Sequence, residues 1–255
     1  MITFETKVWE KDWRYILQGD YLDQIIARCN YNFTQKVVIN NNVKNKKRVE
    51  YFAQKKIEQG IIDAYYFAED YADETLTFFN IDKSSFKGGY YYSIAELVSI
   101  YLCKTPYLLH FSSDAYIAKN ATEWIHDAKE ILSKKPEIIV ANPIWNYAYN
   151  EGKDESISEL EQFYVGYGFS DQCYLVKIDT FKAPIYSEKH DFSERYPKYG
   201  GELFEKRVDS YMRNNSLLRI TSKNSSYIHK NFPSSTWLGK IPLTRKIIVN
   251  QRLTK

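Results

Sequence analysis

The chain has 255 residues, with 35 Lys and Arg against 32 Asp and Glu and a net charge of +3. That length fills one α/β domain or two small lobes sharing a sheet, and so even a charge balance lacks the basic stripe of a nucleic-acid-binding protein. No apolar run approaches the roughly 18 residues of a membrane span, and Cys29, Cys103 and Cys173 lie far apart among apolar neighbours, which argues for a reducing compartment and against a thiolate metal site.

Taken in chain order, residues 2–6 read as a short strand. Charges follow at once, so the opening does not read as a secretory signal peptide and a cytoplasmic protein is expected. Residues 12–29 bring Trp13, Ile16, Leu17, Leu22, Ile25 and Ile26 to helical spacing. A second strand over 36–40 stops in Asn40-Asn41-Asn42, and a helix over 44–59 is closed by Gly60. Residues 61–67 form a third strand and 84–89 a loop. The next helix, 93–103, opens on Ser93 and Glu96, spaced as a capping box. An apolar strand from Tyr107 then runs into Ser112-Ser113-Asp114, and His110 within it reads as packing. Strands alternating with helices predict a parallel sheet with right-handed crossovers, whose ligands bind at the carboxyl ends of the strands. Those ends present Thr6, Asn40 and Asn41, Glu69 and Asp70, and Asp114.

The second half is less regular. A helix over 120–133 has Asn120 or Thr122 as its cap, residues 137–141 are a short buried strand, and 154–161 are an acidic, serine-rich loop or short helix. Residues 163–178 read as a strand, a glycine-bearing loop (Gly166-Tyr167-Gly168) and a second strand over 172–176. Gly200-Gly201-Glu202 opens a helix over 203–214, followed by short strands at 217–221 and 226–229. Beyond Pro233 come Trp237, Lys240, Arg245, Lys246 and Arg252. The expected organisation is a single domain with one half over 1–117, a second over 118–232 and a basic tail over 233–255.

A buried strand that delivers a lone acid to the mouth of the sheet, a glycine pair and acid opening a late helix, and a histidine on a late strand follow one another here in order. This succession resembles the GT-A glycosyltransferases, in particular the large inverting family that uses nucleotide-diphosphate sugars. The resemblance spans most of the chain. It implies an α/β fold of GT-A type, with a mostly parallel central sheet flanked by helices, a nucleotide-sugar-binding first half and an acceptor-binding second half. Ser112-Ser113-Asp114 matches the family's Asp-x-Asp motif, which makes Asp114 the metal-binding acid and leaves Ser112 in the place of the first Asp. His229 matches a further metal contact, and Mn²⁺ or Mg²⁺ is the implied ion. Thr6, Asn40 and Asn41 would contact the nucleotide, with Ser112 and Ser113 beside it. Glu202 matches the general base, although Leu203 stands where a second acid is common, and Glu205 one turn on is the fallback. Lys240, Arg245 and Lys246 would fold over the donor phosphates. The implied donor is a nucleotide-diphosphate sugar and the acceptor a saccharide or lipid-linked saccharide, with no nucleic acid partner and no membrane span. A peripheral contact with the inner face of the membrane is compatible with this picture.

The chemistry explains the residue types. Departure of a nucleotide diphosphate builds negative charge that a hard divalent cation, held by carboxylate oxygen, neutralises. A second carboxylate must take the acceptor proton as the new bond forms. Two other readings compete. A nucleotidyltransferase would need a glycine-rich phosphate loop after the first strand, and residues 5–10 contain no glycine. A catalytically inactive homologue, binding a nucleotide or glycan as a module, is favoured by the acids missing at Ser112 and Leu203.

Overall fold

Alternation along the first strand sets the layers. In β1 (Ile2–Val8), Ile2, Phe4 and Val8 enter one core with Val38, Leu109 and Phe111, whereas Val37, Ile39 and Leu108 of the neighbouring strands belong to a second core on the opposite face. Thr3, Glu5 and Lys7 therefore point towards that second core and form a polar seam in it. The computed structural model describes residues 1–119, 123–233 and 237–254.

After β1 come α1 (Trp13–Leu17), α2 (Tyr21–Arg28), β2 (Gln35–Asn40), α3 (Lys46–Glu58), β3 (Ala64–Phe67), α4 (Ala68–Phe78), α5 (Tyr90–Leu102) and β4 (Tyr107–Phe111). The chain continues through β5 (Ala115–Ile117), α6 (Trp124–Lys134), β6 (Ile138–Trp145), α7 (Tyr149–Asp154), β7 (Ser158–Leu160), β8 (Phe163–Gly166) and β9 (Cys173–Lys177). It ends in α8 (Ile178–Lys182), α9 (Phe204–Asn214), β10 (Leu218–His229) and α10 (Pro242–Leu253). Among the described residues ten strands form one sheet, ordered β3-β2-β1-β4-β9-β6-β10-β8-β7, with β5 paired to β10. Strands β3, β2, β1 and β4 are parallel, and β9 enters antiparallel between β4 and β6. Both halves of the chain therefore share one mixed α/β sheet.

Several local expectations give way to tertiary contacts. The 12–29 helix is two helices, broken at Gln18-Gly19-Asp20, where glycine makes helix continuation costly. Residues 68–78, not read as helix from the sequence, form α4, and Glu69 and Asp70 sit in its first turn, where they complement the helix dipole. Glu69 accepts the Asn42 N–H at 2.6 Å and Asp70 pairs with Lys46 at 2.7 Å, so neither is a free strand-end carboxylate. The loop over 84–89 is a 3₁₀ turn, Lys83–Gly89. Ser93 and Glu96 are not a capping box, because α5 begins three residues earlier. Ser93 Oγ instead accepts the N–H of Phe204, 111 residues away, at 2.9 Å, and so caps the first turn of α9. The two late strands are one, β10, whose pairing with β6 shifts register between Ser222 and Ser226. The acidic 154–161 stretch is the end of α7 plus β7. The cap expected at Asn120 or Thr122 lies outside the described residues.

Candidate active site

Strand β4 ends at Phe111, and the chain turns through Ser112-Ser113-Asp114 into β5, which pairs antiparallel with the end of β10 and sets Ala115 opposite His229. Two segments distant in sequence thus converge: His229 Nε2 lies 3.4 Å from Asp114 Oδ1, with both side chains partly exposed. Ser112 Oγ donates to the same oxygen at 3.1 Å. The main chain is fixed too, since the Asp114 carbonyl accepts from Lys230 N at 3.1 Å and from Arg252 Nη2 at 2.8 Å. Burial works against the Asp114 charge, but His229, Ser112 and Arg252 together hold its carboxyl below the ordinary range. The hydrogen bond to Asp114 in turn raises the His229 imidazole.

Sequence reasoning missed an acid beside this pair. Asp12 is buried, accepts the Trp9 N–H at 2.8 Å, and takes the Ser113 hydroxyl at 2.5 Å. Burial, with a contribution from the Asp114 charge, pushes its carboxyl up to about 7. Its signal in the sequence is an acid a few residues beyond the carboxyl end of a central strand, at the start of a helix.

A second cluster closes the polar seam. Glu5 and His110, both wholly buried, pair through Oε2 and Nδ1 at 2.5 Å, and His110 stacks on Tyr174 with ring centroids 4.7 Å apart. One step along β1, the Lys7 ammonium binds the fully buried Glu96 carboxylate and lies 3.5 Å from Asp171 Oδ2. Burial alone would lower Lys7, but Glu96 and Asp171 more than offset it and hold the ammonium above the ordinary lysine range. Asp171 ends the glycine-bearing loop between β8 and β9, which is docked on the site by the Ser112 N–H donating to Gln172 O at 2.9 Å. The Asp171 main chain donates to the Glu205 carboxylate, and Asp171 also contributes to raising His229. Burial and the neighbouring Asp171 charge push Glu205 up to about 8.

This arrangement replaces Glu202 with Glu205 as the acid on the Asp171 side. Glu202 is held elsewhere: its N–H donates to Ser85 O at 2.9 Å and its carboxylate accepts from Lys206 Nζ at 3.1 Å. Gly201 enforces the placement, because its φ is +63° and a Cβ there would meet the main chain of Ser85 and Phe86. The helix proper starts only at Phe204, which leaves Glu205, not Glu202, in its first turn.

Other expected nucleotide contacts fare unevenly. Thr6 is wholly buried in the strand interior, between Val38 and Phe111, because β1 runs two residues further than its sequence suggests; it cannot meet a ligand at the strand end. Asn40 Nδ2 donates to Tyr66 O at 3.1 Å and Asn41 Nδ2 to Tyr91 O at 2.7 Å, so both amide donors are engaged within the fold. Among the described residues their Oδ1 atoms have no hydrogen-bond partner. Lys240 is exposed, but Arg245 is buried and donates to Gly239 O at 2.8 Å, which makes it part of the packing of α10 and not of a lid.

As a metal site the Asp114–His229 pair offers one carboxylate oxygen and one imidazole nitrogen. Among the described residues no group of three or more His, Cys, Asp and Glu converges on a common point. The pair fits a divalent ion whose remaining positions are filled by phosphate and water, and its nitrogen donor suits Mn²⁺ better than the harder Mg²⁺.

The fold decides the architecture. Over 92% of this chain and 44% of the other, it superposes on the crystal structure of GalNAc-T7 with UDP, GalNAc and Mn²⁺, with a TM-score of 0.56 and 10% identity. The chain has a GT-A fold. It spans less than half of that protein. The Mycobacterium tuberculosis glucosyl-3-phosphoglycerate synthase, crystallised with Mn²⁺, UDP and phosphoglyceric acid, aligns over 100% of this chain and 78% of its own with a TM-score of 0.49 and 12% identity. No family model matches the sequence, and no curated protein matches it.

Proposed function

We propose that the chain is a glycosyltransferase that moves a sugar from a nucleotide-diphosphate donor to a saccharide acceptor, free or lipid-linked, with inversion at the anomeric carbon. The observation that carries this reading is the meeting of Asp114 and His229 at 3.4 Å on the carboxyl edge of a GT-A sheet. That GalNAc-T7, with the same fold, was crystallised with UDP, GalNAc and Mn²⁺ supports the choice of ligands.

In this reading Asp114 and His229 hold a divalent cation, Mn²⁺ in preference to Mg²⁺, which when bound neutralises the charge of the departing diphosphate. Ser112 aligns Asp114, and Arg252 fixes its backbone. The acceptor hydroxyl oxygen attacks the anomeric carbon as the bond to the diphosphate oxygen breaks, and its proton passes to the carboxylate pair of Glu205 and Asp171. A carboxyl near 8 suits a general base working close to neutral pH. Asp171 stands beside Glu205, and its charge helps keep that carboxyl raised.

The two-donor metal set also favours a second reading, a nucleotide-binding module without turnover. A panel of nucleotide-diphosphate sugars, with and without Mn²⁺, separates them through release of free nucleotide. Metal-dependent release that disappears in Asp114→Ala, with the circular dichroism spectrum unchanged, supports the transferase. Tight nucleotide binding with no release from any donor or acceptor supports the module.

A further inference from the structure

The charge of this chain is divided sharply along its length. Residues 229–255 carry six Lys and Arg and no Asp or Glu, so of the 35 basic and 32 acidic residues in the whole chain, the part before His229 holds 29 and 32. A body of net charge −3 is thus joined to a segment of net charge +6. In that segment α10 lays Arg245, Val249, Arg252 and Leu253 against the body. Arg252 sits 4.0 Å over the Phe232 ring.

The opposite face of α10 is open and carries two large apolar side chains near its start, among the polar Lys246, Asn250 and Gln251. Leu243 and Ile247, one turn apart, are 69% and 48% exposed, and Trp237 just ahead of the helix is 61% exposed. Lys240 and Lys246 are exposed beside them. A helix with buried cations on one side, protruding Leu and Ile on the other, flanking lysines and a Trp at one end has the make-up of an interfacial helix. We propose that this face docks the protein on an anionic lipid surface, with Leu243, Ile247 and Trp237 entering the headgroup layer and the lysines meeting the lipid charge.

The charge pattern selects this occupant over others. A second copy of the chain, related by a two-fold axis, would bring two such cationic segments face to face. A nucleic acid would meet the lysines but would leave the protruding apolar side chains without a partner. The inference rests on this surface alone and holds whether or not the chain transfers sugar.

Flotation with vesicles tests it. The full chain should float with vesicles of three parts phosphatidylcholine to one of phosphatidylglycerol at low salt, lose much of that binding at high salt, and ignore pure phosphatidylcholine. Trp237 emission should shift to the blue on binding and be quenched by brominated lipid, and Trp237→Phe should remove that change. Leu243→Ser/Ile247→Ser should lower the partition coefficient by about tenfold or more, with thermal unfolding unchanged because both sites are exposed. No flotation with either vesicle, or equal binding by the double variant, overturns the proposal. So does self-association in sedimentation that the same two substitutions abolish, since a second copy would then cover the face.

Discussion

Lys7→Met isolates the energetics of the polar seam. In the native chain the Lys7 ammonium neutralises the Glu96 carboxylate, whose side chain is wholly buried, and stands 3.5 Å from Asp171. Without it, Glu96 must either stay charged and unpaired, at about 3–5 kcal/mol, or hold a proton. From an unfolded value near 4.3, holding the proton at pH 7 costs about 2.7 pH units, or roughly 3.7 kcal/mol at 1.36 kcal/mol per unit. The two limits coincide near neutrality, so the loss at pH 7 is at most roughly 3–4 kcal/mol. The sign of the pH dependence follows. In the variant the folded Glu96 carboxyl lies above its unfolded value, so the folded chain keeps a proton that the unfolded chain releases. Stability is then fully present below about pH 4.3 and falls by about 1.4 kcal/mol per unit as pH rises. Because burial already raises the Glu96 carboxyl in the native chain despite Lys7, urea unfolding of wild type and variant should differ by at most roughly 1.6 kcal/mol at about pH 5.5, and by more at pH 7. Lys7→Met/Glu96→Gln should recover most of the loss and flatten the difference. A Lys7→Met penalty that is equal at both pH values, or below about 1 kcal/mol at pH 7, would refute the assignment of Lys7 as counterion to Glu96.

Transfer should rise with pH towards a limb near 8, the value to which burial and Asp171 push Glu205; Glu205→Gln should lose roughly 10²–10⁴-fold in turnover, and the limb with it, while Glu202→Gln stays close to wild type in initial-rate assays. Ser93→Ala leaves the Phe204 N–H without its acceptor and should cost about 1–3 kcal/mol by thermal or urea unfolding, which an ordinary exposed serine would not. Because Asp114 and His229 supply only two donors, Mn²⁺ alone should bind weakly and UDP should tighten it by about tenfold or more in calorimetric titration; equal affinity with and without UDP would point to a third protein ligand.

The fold was legible because its strands carry their positions in composition. The apolar runs at 36–40 and 107–111 and the 44–59 helix read as parts of a mostly parallel α/β first half, with α4 left out, and Asp114 and His229 fell where the sheet brings them together. What stayed hidden was settled by partners distant in sequence. Ser93 and Glu96 have the spacing of a local cap, yet one caps a helix 111 residues away and the other neutralises Lys7. Thr6 looks like a strand end because Lys7 follows it, but β1 continues to Val8 with Lys7 turned into the seam. Glu202 is set apart from Glu205 by the positive φ of Gly201, which places the first acid against Lys206 and the second against Asp171. A dipeptide shows the glycine but not the Ser85 backbone that needs it.

The serine at position 112 is best understood through the charge that surrounds it. A carboxylate there would stand beside Asp114 and close to Asp12, which burial and the Asp114 charge already push up to about 7. Three acids so close, Asp12 reaching in from the segment after β1, could not all ionise without a cation in place. With Ser112 the site instead has a hydroxyl that donates to Asp114, an Asp12 raised by burial that accepts from Ser113, and a His229 raised by its hydrogen bond to Asp114. Such a site offers a divalent ion one carboxylate oxygen and one imidazole nitrogen. It gains a reason to hold a divalent ion only when the ion arrives with, or after, a diphosphate that supplies the missing negative charge. In the proposed transferase, a serine at 112 would shift metal affinity from the protein to the donor complex.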